Sequence, residues 1–148
     1  MLQGLRRTMV LVKVGLAGLA LAAAAPFAMA GEWSLVPMGF QVKGEVDPKM
    51  TDSVSADTEE LVFKYEVKGD SSGQSVSGSW IAEDVGEAAP PETLIDAPAE
   101  VKLGSLENQV TFKLSRPTAG WPLGKYRLEV KAGDKMIDTQ KFSIVAAQ

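Results

Sequence analysis

The sequence predicts an all-β protein, an antiparallel β-sandwich that follows an N-terminal export signal. Several segments alternate apolar and polar residues with a period of two, the pattern of half-buried strands. No segment after residue 30 shows a 3.6-residue apolar repeat of useful helical length. The 118 residues that follow the signal are about the size of one domain with one core. We therefore expect a single domain over residues 31–148.

The first 30 residues have the organisation of a cleavable signal peptide. Arg6, Arg7 and Lys13 precede an uncharged run rich in Leu and Ala, which matches a basic n-region and an apolar h-region. Residues 28–30 read Ala-Met-Ala, so cleavage is predicted after Ala30. The apolar run is shorter than a bilayer-spanning helix. We expect a periplasmic or secreted protein without a membrane anchor, exported by either the Sec or the twin-arginine route.

Composition limits the chemistry and the partners. The chain has no cysteine, so it forms no disulfide and carries no lipoprotein anchor, whose lipid is attached to cysteine. After the signal it has 12 basic and 19 acidic residues, a formal charge of −7. Nucleic acid and anionic membrane surfaces would repel such a domain. The charge fits a basic partner, or simply solubility.

Three segments show the strongest alternation, at residues 60–68, 110–115 and 125–131. In each, polar or charged residues separate the apolar ones, so one face is expected in the core and the other in solvent. The predicted inward residues are Leu61, Phe63, Tyr65 and Val67; Val110, Phe112 and Leu114; and Tyr126, Leu128 and Val130.

Two further strands are predicted from residues 76–82 and 36–42. The first places Trp80 in the core among small neighbours, and the second suits a sheet edge because it contains Pro37 and Gly39. Their predicted inward residues are Val76, Gly78, Trp80 and Ala82, and Val36, Met38, Phe40 and Val42.

The last two strands are predicted to form a hairpin. Residues 132–135 read Ala-Gly-Asp-Lys, and Gly133 supplies the positive φ that a tight turn needs. Ile137 and Phe142 have opposite parity, so strict alternation cannot place both in the core. Either a bulge lies between them or Met136 takes the inward place.

Two stretches, residues 47–58 and 83–100, are interpreted as exposed loops, because the first contains Pro48 among Ser, Thr and Asp residues and the second contains three prolines. A short strand is expected to start near Val101 and Leu103. The second stretch has six acids and no base, and it is the candidate partner-binding loop. A solvated loop that keeps the domain soluble is the alternative. The candidate residues are Glu83, Asp84, Glu87, Glu92 and Asp96, with Glu100 beside them.

The segment from Leu114 to Val130 reads LSRPTAGWPLGKYRLEV. It closely resembles the GWPxGxYxVEV corner and strand of immunoglobulin-like domains in exported bacterial proteins, many of them uncharacterised. The resemblance extends through the hairpin to Ile144 and more loosely back to Phe63 and Trp80. It implies a single immunoglobulin-like antiparallel β-sandwich of about seven strands, and it indicates fold more than activity.

The corner also has a physical interpretation. Pro122 fixes φ, and Gly120 and Gly124 permit sharp backbone turns. Tyr126 is expected to bury its ring and to bond a backbone group through its hydroxyl. Trp121 is expected to cover the end of the core, and an exposed aromatic that binds a ligand such as sugar is the alternative.

The residue types that most enzymes use are missing. The chain has no histidine and no cysteine, which removes the commonest general base, the thiol nucleophile and the usual zinc ligands. No G-x-S-x-G motif supports a serine nucleophile. No catalytic, cofactor-binding or metal-ligating residue is therefore predicted. The acids of the first loop, Asp47, Asp52, Asp57 and Glu59, do not match an EF-hand, and calcium is not predicted.

The sequence thus favours a non-enzymatic module of the cell envelope that binds a protein or a glycan. The alternative is a structural accessory, or a small carbohydrate-active enzyme without a recognisable catalytic site. No cofactor is expected, and the identity of the partner and the oligomeric state stay open.

Overall fold

The computed structural model describes residues 33–106 and 108–148, so the predicted signal peptide and its cleavage site after Ala30 lie outside the described residues. The described ranges contain nine strands and one short 3-10 turn at Gly86–Ala88. They hold no helix with the length and apolarity needed to cross a bilayer. The strands are β1 (Trp33–Phe40), β2 (Ser53–Ser55), β3 (Glu60–Gly69), β4 (Ser75–Asp84), β5 (Thr93–Leu94), β6 (Ala99–Lys102), β7 (Gln109–Ser115), β8 (Gly124–Ala132) and β9 (Lys135–Val145).

The strands form two sheets, as the alternation predicts. The smaller sheet has the order β1-β3-β7 and is antiparallel throughout. The larger sheet has the order β2-β9-β8-β4-β5, with β6 also paired to β4. One pair departs from the predicted antiparallel arrangement, because β2 runs parallel to residues 143–145 of β9. The fold is therefore an all-β sandwich whose sheets are antiparallel except at that edge.

The core lies between the sheets and is built from the predicted alternating residues. Every predicted inward residue of β3, β4, β7 and β8 is buried. Phe142 of β9 contacts Phe40, Trp80 and Tyr126, with ring centroids 5.0, 6.0 and 5.6 Å apart. Since Phe40 belongs to the smaller sheet, the Phe142 ring joins the two sheets through aromatic packing.

β1 is an edge strand, as predicted, but its inward face differs from the prediction. Leu35 is buried and Val36 is exposed, yet Phe40 is also buried. The register against β3 shifts between Pro37 and Gly39, so the strand changes parity there. The predicted even-numbered inward face is therefore wrong for the first half of the strand, and Val42, also predicted to face inward, lies beyond its end and is 43% exposed.

In β9 a bulge accommodates both apolar residues. Ile137 has no partner in the register against β8 and is buried, whereas Met136 is 40% exposed. Past the bulge, Asp138 lies opposite Val130 and so shares its inward face. The Tyr65 hydroxyl of the smaller sheet donates to the Asp138 carboxylate at 2.8 Å. The bulge thus creates a polar bond between the sheets.

The two stretches interpreted as loops contain short strands. β2 lies inside the first and β5 inside the second, while β6 begins at Ala99, two residues before the predicted start. With three and two residues, β2 and β5 are too short to show a period. They are recognisable only by their pairing with β9 and β4, so residues 33–106 and 108–148 form nine strands where about seven were predicted.

Gly78→Ala should lower the free energy of unfolding by about 1 to 3 kcal/mol, because the inter-sheet space at this position is already filled. An added Cβ at Gly78 would lie 2.4 Å from the Cδ1 of Phe112. Gly104→Ala is the matched control, since nothing lies within 4 Å of its added Cβ. Urea denaturation of both variants is the measurement, and equal midpoints would contradict the described packing.

Candidate functional site

The corner before β8 closes one end of the sandwich. Trp121 is 6% exposed, and its indole N–H donates to the backbone oxygen of Thr58 at 2.5 Å. The Tyr126 hydroxyl donates to the backbone oxygen of Pro122, four residues earlier, and its ring stacks on Phe142. The polar groups of both side chains therefore form hydrogen bonds within the fold. This geometry makes Trp121 a packing residue, with no exposed ring face for a sugar.

The backbone of the corner approaches β4 closely. Gly124 has a φ of 149°, and an added Cβ there would lie 2.2 Å from the backbone oxygen of Asp84. Trp80, also on β4, is 4% exposed and faces the core. The corner residues thus fix how the start of β8 lies against the end of β4.

The predicted acidic residues do not form one site, because two of them are bound to an arginine. The Nη1 of Arg127 lies 3.1 Å from the Glu83 carboxylate and 2.8 Å from that of Glu92. Its Nε donates to Glu129 at 2.8 Å. We call these four residues the Arg127 cluster. It ties the predicted binding loop to the outer face of the larger sheet.

Electrostatics hold the Arg127 cluster together. Burial alone would lower the pKa of the Arg127 guanidinium, but hydrogen bonds to Glu129, Glu92 and Glu83 outweigh it and raise that pKa above its ordinary value. The Nζ of Lys141 lies 3.7 Å from Glu83. Sequence reasoning missed Arg127, since its position in the alternation marks it only as an outward, solvated residue.

The remaining acids of the predicted loop are exposed. Asp84 accepts a hydrogen bond from the backbone N–H of Gly86 at 3.2 Å. Glu87, Asp96 and Glu100 are exposed, and within residues 33–106 and 108–148 no Lys or Arg lies within 4.0 Å of them. Four of the six acids therefore face solvent: Asp84 at the end of β4, Glu100 in β6, and Glu87 and Asp96 between these strands.

A cleft opens where the chain crosses from the smaller sheet to the larger one. Its volume is about 600 Å³, and its walls are the chain after β1, the first residues of β3, and the segment from Thr51 to Glu59 that includes β2. We call it the crossover cleft. Its apolar lining comprises Phe40, Val42, Val54 and Val62, of which Val42 is 43% exposed.

Carboxylates dominate the rim of the crossover cleft. Asp57, Glu59 and Glu60 are exposed there, against one cation, Lys43. The Lys43 Nζ lies 3.9 Å from Glu59, with both side chains at least 80% exposed, so this ion pair is weak. The net formal charge of the rim is −2. In the described part of the chain no three acidic groups are arranged to hold a metal ion.

Backbone hydrogen bonds fix the walls of the crossover cleft. Phe40 and Lys49 exchange two of them at 2.8 Å, which closes the loop after β1. Gly39 permits this with a φ of 111°, since an added Cβ would lie 2.2 Å from the carbonyl of Lys49. The opposite wall is held by the N–H of Ala56, which donates to the oxygen of Val145 at 2.8 Å.

Neither a protein-family model nor the sequence of a curated protein matches the chain. An immunoglobulin-like protein from Pseudomonas aeruginosa is similar in structure, with a TM-score of 0.52 and 18% identity over 80% of this chain and 100% of that one. β-Glucosidases from Listeria innocua and Thermotoga neapolitana give TM-scores of 0.47 and 0.45 at 16% and 17% identity, over 79% and 76% of this chain and 16% of each enzyme. The first likeness shows the fold alone: the chain forms an immunoglobulin-like β-sandwich, as predicted.

Removing the corner contacts should destabilise the fold. Tyr126→Phe should cost about 1 to 3 kcal/mol, because the Pro122 carbonyl loses its partner. Trp121→Ala should cost about 3 to 5 kcal/mol, because it opens a cavity. Leu123→Ala is the control in the same segment, since Leu123 is 52% exposed. Denaturant unfolding measures all three, and a neutral Trp121→Ala would contradict the packing role.

In the folded protein, the two tyrosines of the chain should stay protonated at pH values at which an exposed tyrosine loses its proton. Burial raises the pKa of Tyr126 to about 12, and burial together with the Asp138 charge raises the pKa of Tyr65. Between about pH 10 and 12 the unfolded chain loses phenolic protons that the folded chain keeps, so stability should fall as the pH rises through this window.

The ultraviolet absorbance of phenolate measures this directly. At about pH 11 the folded protein should show little phenolate, and adding urea should reveal both tyrosines. Phenolate absorbance that appears while the circular dichroism is still native would contradict the buried positions of the two rings.

Proposed function

We propose that the protein is an exported, non-enzymatic binding module of the cell envelope that takes its partner at the crossover cleft. The immunoglobulin-like sandwich supports this role, because such a scaffold holds connecting segments in fixed positions for recognition. The N-terminal basic and apolar pattern supports export. The lack of His and Cys in the sequence favours binding over catalysis.

The observation that carries the proposal is the crossover cleft itself. Its volume of about 600 Å³ lies in the range of binding pockets, which combine apolar walls with a few polar groups. Val42 is 43% exposed within it, and Val54 and Val62 are half-buried. Covering these side chains with a partner would remove apolar surface from water. The hydrogen-bonded walls mean that little ordering is needed on binding.

The candidate partner-binding stretch of residues 83–100, called here the acidic loop, is a second candidate surface for the same function. Glu87 and Asp96 face solvent from it, Asp84 and Glu100 do so from the strands at its two ends, and this favours a basic partner. β5 of this loop and β2 of the crossover cleft lie at opposite ends of the strand order of the larger sheet. Substitutions can therefore separate the two surfaces.

Capture from the periplasm or culture fluid of an exporting host tests the proposal. Val42→Arg should reduce recovery of a stoichiometric partner at least about tenfold, because it places a bulky cation in the crossover cleft. Val36→Arg is the matched control, since Val36 is 41% exposed on β1 outside the cleft and Val42 is 43% exposed. The intact mass of the same preparation reports whether cleavage follows Ala30.

The outcomes are distinct. Loss of the partner with Val42→Arg and retention with Val36→Arg supports the crossover cleft. If the partner is lost only with the double variant Glu87→Gln and Asp96→Asn, the binding site lies on the acidic loop. Absence of any stoichiometric partner for the unaltered protein would contradict the binding function.

A further inference from the structure

We infer that the crossover cleft receives a lysine or arginine side chain flanked by apolar residues on a partner protein. Since binding at this cleft is the function proposed above, the inference rests on that proposal and adds the chemical class of the partner. Lys and Arg carry a charged head on an aliphatic stem, so they need an apolar surface and a carboxylate close together. The crossover cleft offers both.

The apolar part of the cleft matches the stem. Val42, Val54 and Val62 line it, and Phe40 lies beneath them at 4% exposure. A volume of about 600 Å³ exceeds one side chain, so residues flanking the basic one would enter as well. An apolar lining under water-exposed carboxylates suits an amphipathic group better than a fully polar one.

The rim matches the charged head. Asp57, Glu59 and Glu60 outnumber Lys43 there. The contact between Lys43 and Glu59 is 3.9 Å long and exposed, so an incoming cation displaces it at small cost. The Ser55 hydroxyl donates to Asp57 at 2.6 Å, which orients that carboxylate without neutralising it. The rim therefore keeps a negative field for a basic group.

The backbone of β2 favours insertion of a side chain over addition of a strand. The Thr51 hydroxyl bonds both the N–H and the oxygen of Ser53, at 3.2 and 3.1 Å. The N–H of Thr58 donates to the oxygen of Ser55 at 3.1 Å. Most main-chain groups that a new strand would use are already engaged, so recognition falls to side chains.

The same lining favours a protein over a glycan. Sugar sites commonly present an aromatic face on which the ring packs. Among the lining residues that the structure describes, Phe40 is the one aromatic, and it is 4% exposed. Trp121, the corner aromatic, is 6% exposed and points its indole N–H at the chain itself.

Three matched peptides test the inference on the purified protein. The probes are acetylated, amidated Val-Lys-Val, Val-norleucine-Val and Val-Glu-Val, which keep the flanking residues and vary only the charge. When a peptide is titrated into the protein, the backbone amide chemical shifts of Val42, Val54 and Val62 should change. Val-Lys-Val should bind at least about threefold more tightly than the norleucine peptide, and Val-Glu-Val most weakly, because each exposed charge contact is modest.

Charge-matched double variants locate the effect. Glu59→Gln with Glu60→Gln should weaken Val-Lys-Val binding about three- to tenfold and abolish its advantage over norleucine. Glu87→Gln with Asp96→Asn removes the same charge outside the crossover cleft and should leave the affinity unchanged. Raising the salt concentration should weaken the binding of the lysine peptide and of no other probe.

Equal binding of the lysine and norleucine peptides, or preference for the glutamate peptide, would overturn the inference. Such a result would leave the proposed function intact if partner capture still depended on Val42. The opposite result is also possible: the cleft prefers the lysine peptide and loses this preference in the Glu59 and Glu60 variant, but partner capture does not depend on Val42. In that case the proposed function would be wrong, and the inferred preference of the cleft for a basic side chain would be supported.

Discussion

The contact between Phe40 and Phe142 determines both the core and the crossover cleft. Phe40 ends β1 in the smaller sheet and Phe142 lies in β9 of the larger one, with ring centroids 5.0 Å apart. The chain leaves the smaller sheet directly after Phe40 and reappears in the larger one as β2. The packing of this ring therefore fixes where the chain changes sheets. The cleft is the space that the crossing leaves, with Phe40 beneath it.

Other long-range hydrogen bonds connect distant parts of the sandwich at both of its ends. The indole of Trp121 bonds the oxygen of Thr58, in the segment that walls the cleft, so the corner before β8 supports the crossover. Toward the hairpin between β8 and β9, the Tyr65 hydroxyl bonds Asp138 across the sheets. A preformed cleft loses little conformational entropy when it is filled. The geometry thus links the stability of the sandwich with the proposed recognition.

Charge is distributed differently at the two candidate surfaces. Near the acidic loop, Glu83 of β4 and Glu92 of the loop both bind Arg127 of β8, and the Glu92 pair holds the loop against the sheet. Lys43, the one cation among the described residues that line the crossover cleft, is weakly paired, so the rim remains negative. The overall negative charge of the domain would steer a basic partner toward either surface, and at the cleft the valine side chains add apolar area to the attraction.

The sequence alone predicted the all-β fold and the inward residues of β3, β4, β7 and β8, because alternation with a period of two records which face of a strand is buried. It also pointed to the corner, where Pro122 and Tyr126 are close in the chain. Only the tertiary structure decided the bulges in β1 and β9, the short strands β2 and β5, the Arg127 cluster and the crossover cleft. Apart from the β9 bulge, which lies within the β8–β9 hairpin and which the sequence left as one of two alternatives, each depends on partners distant in sequence, such as Val54 beside Ile144. Local patterns carry no record of such pairings, because their hydrogen bonds and charges meet only when the sheets assemble.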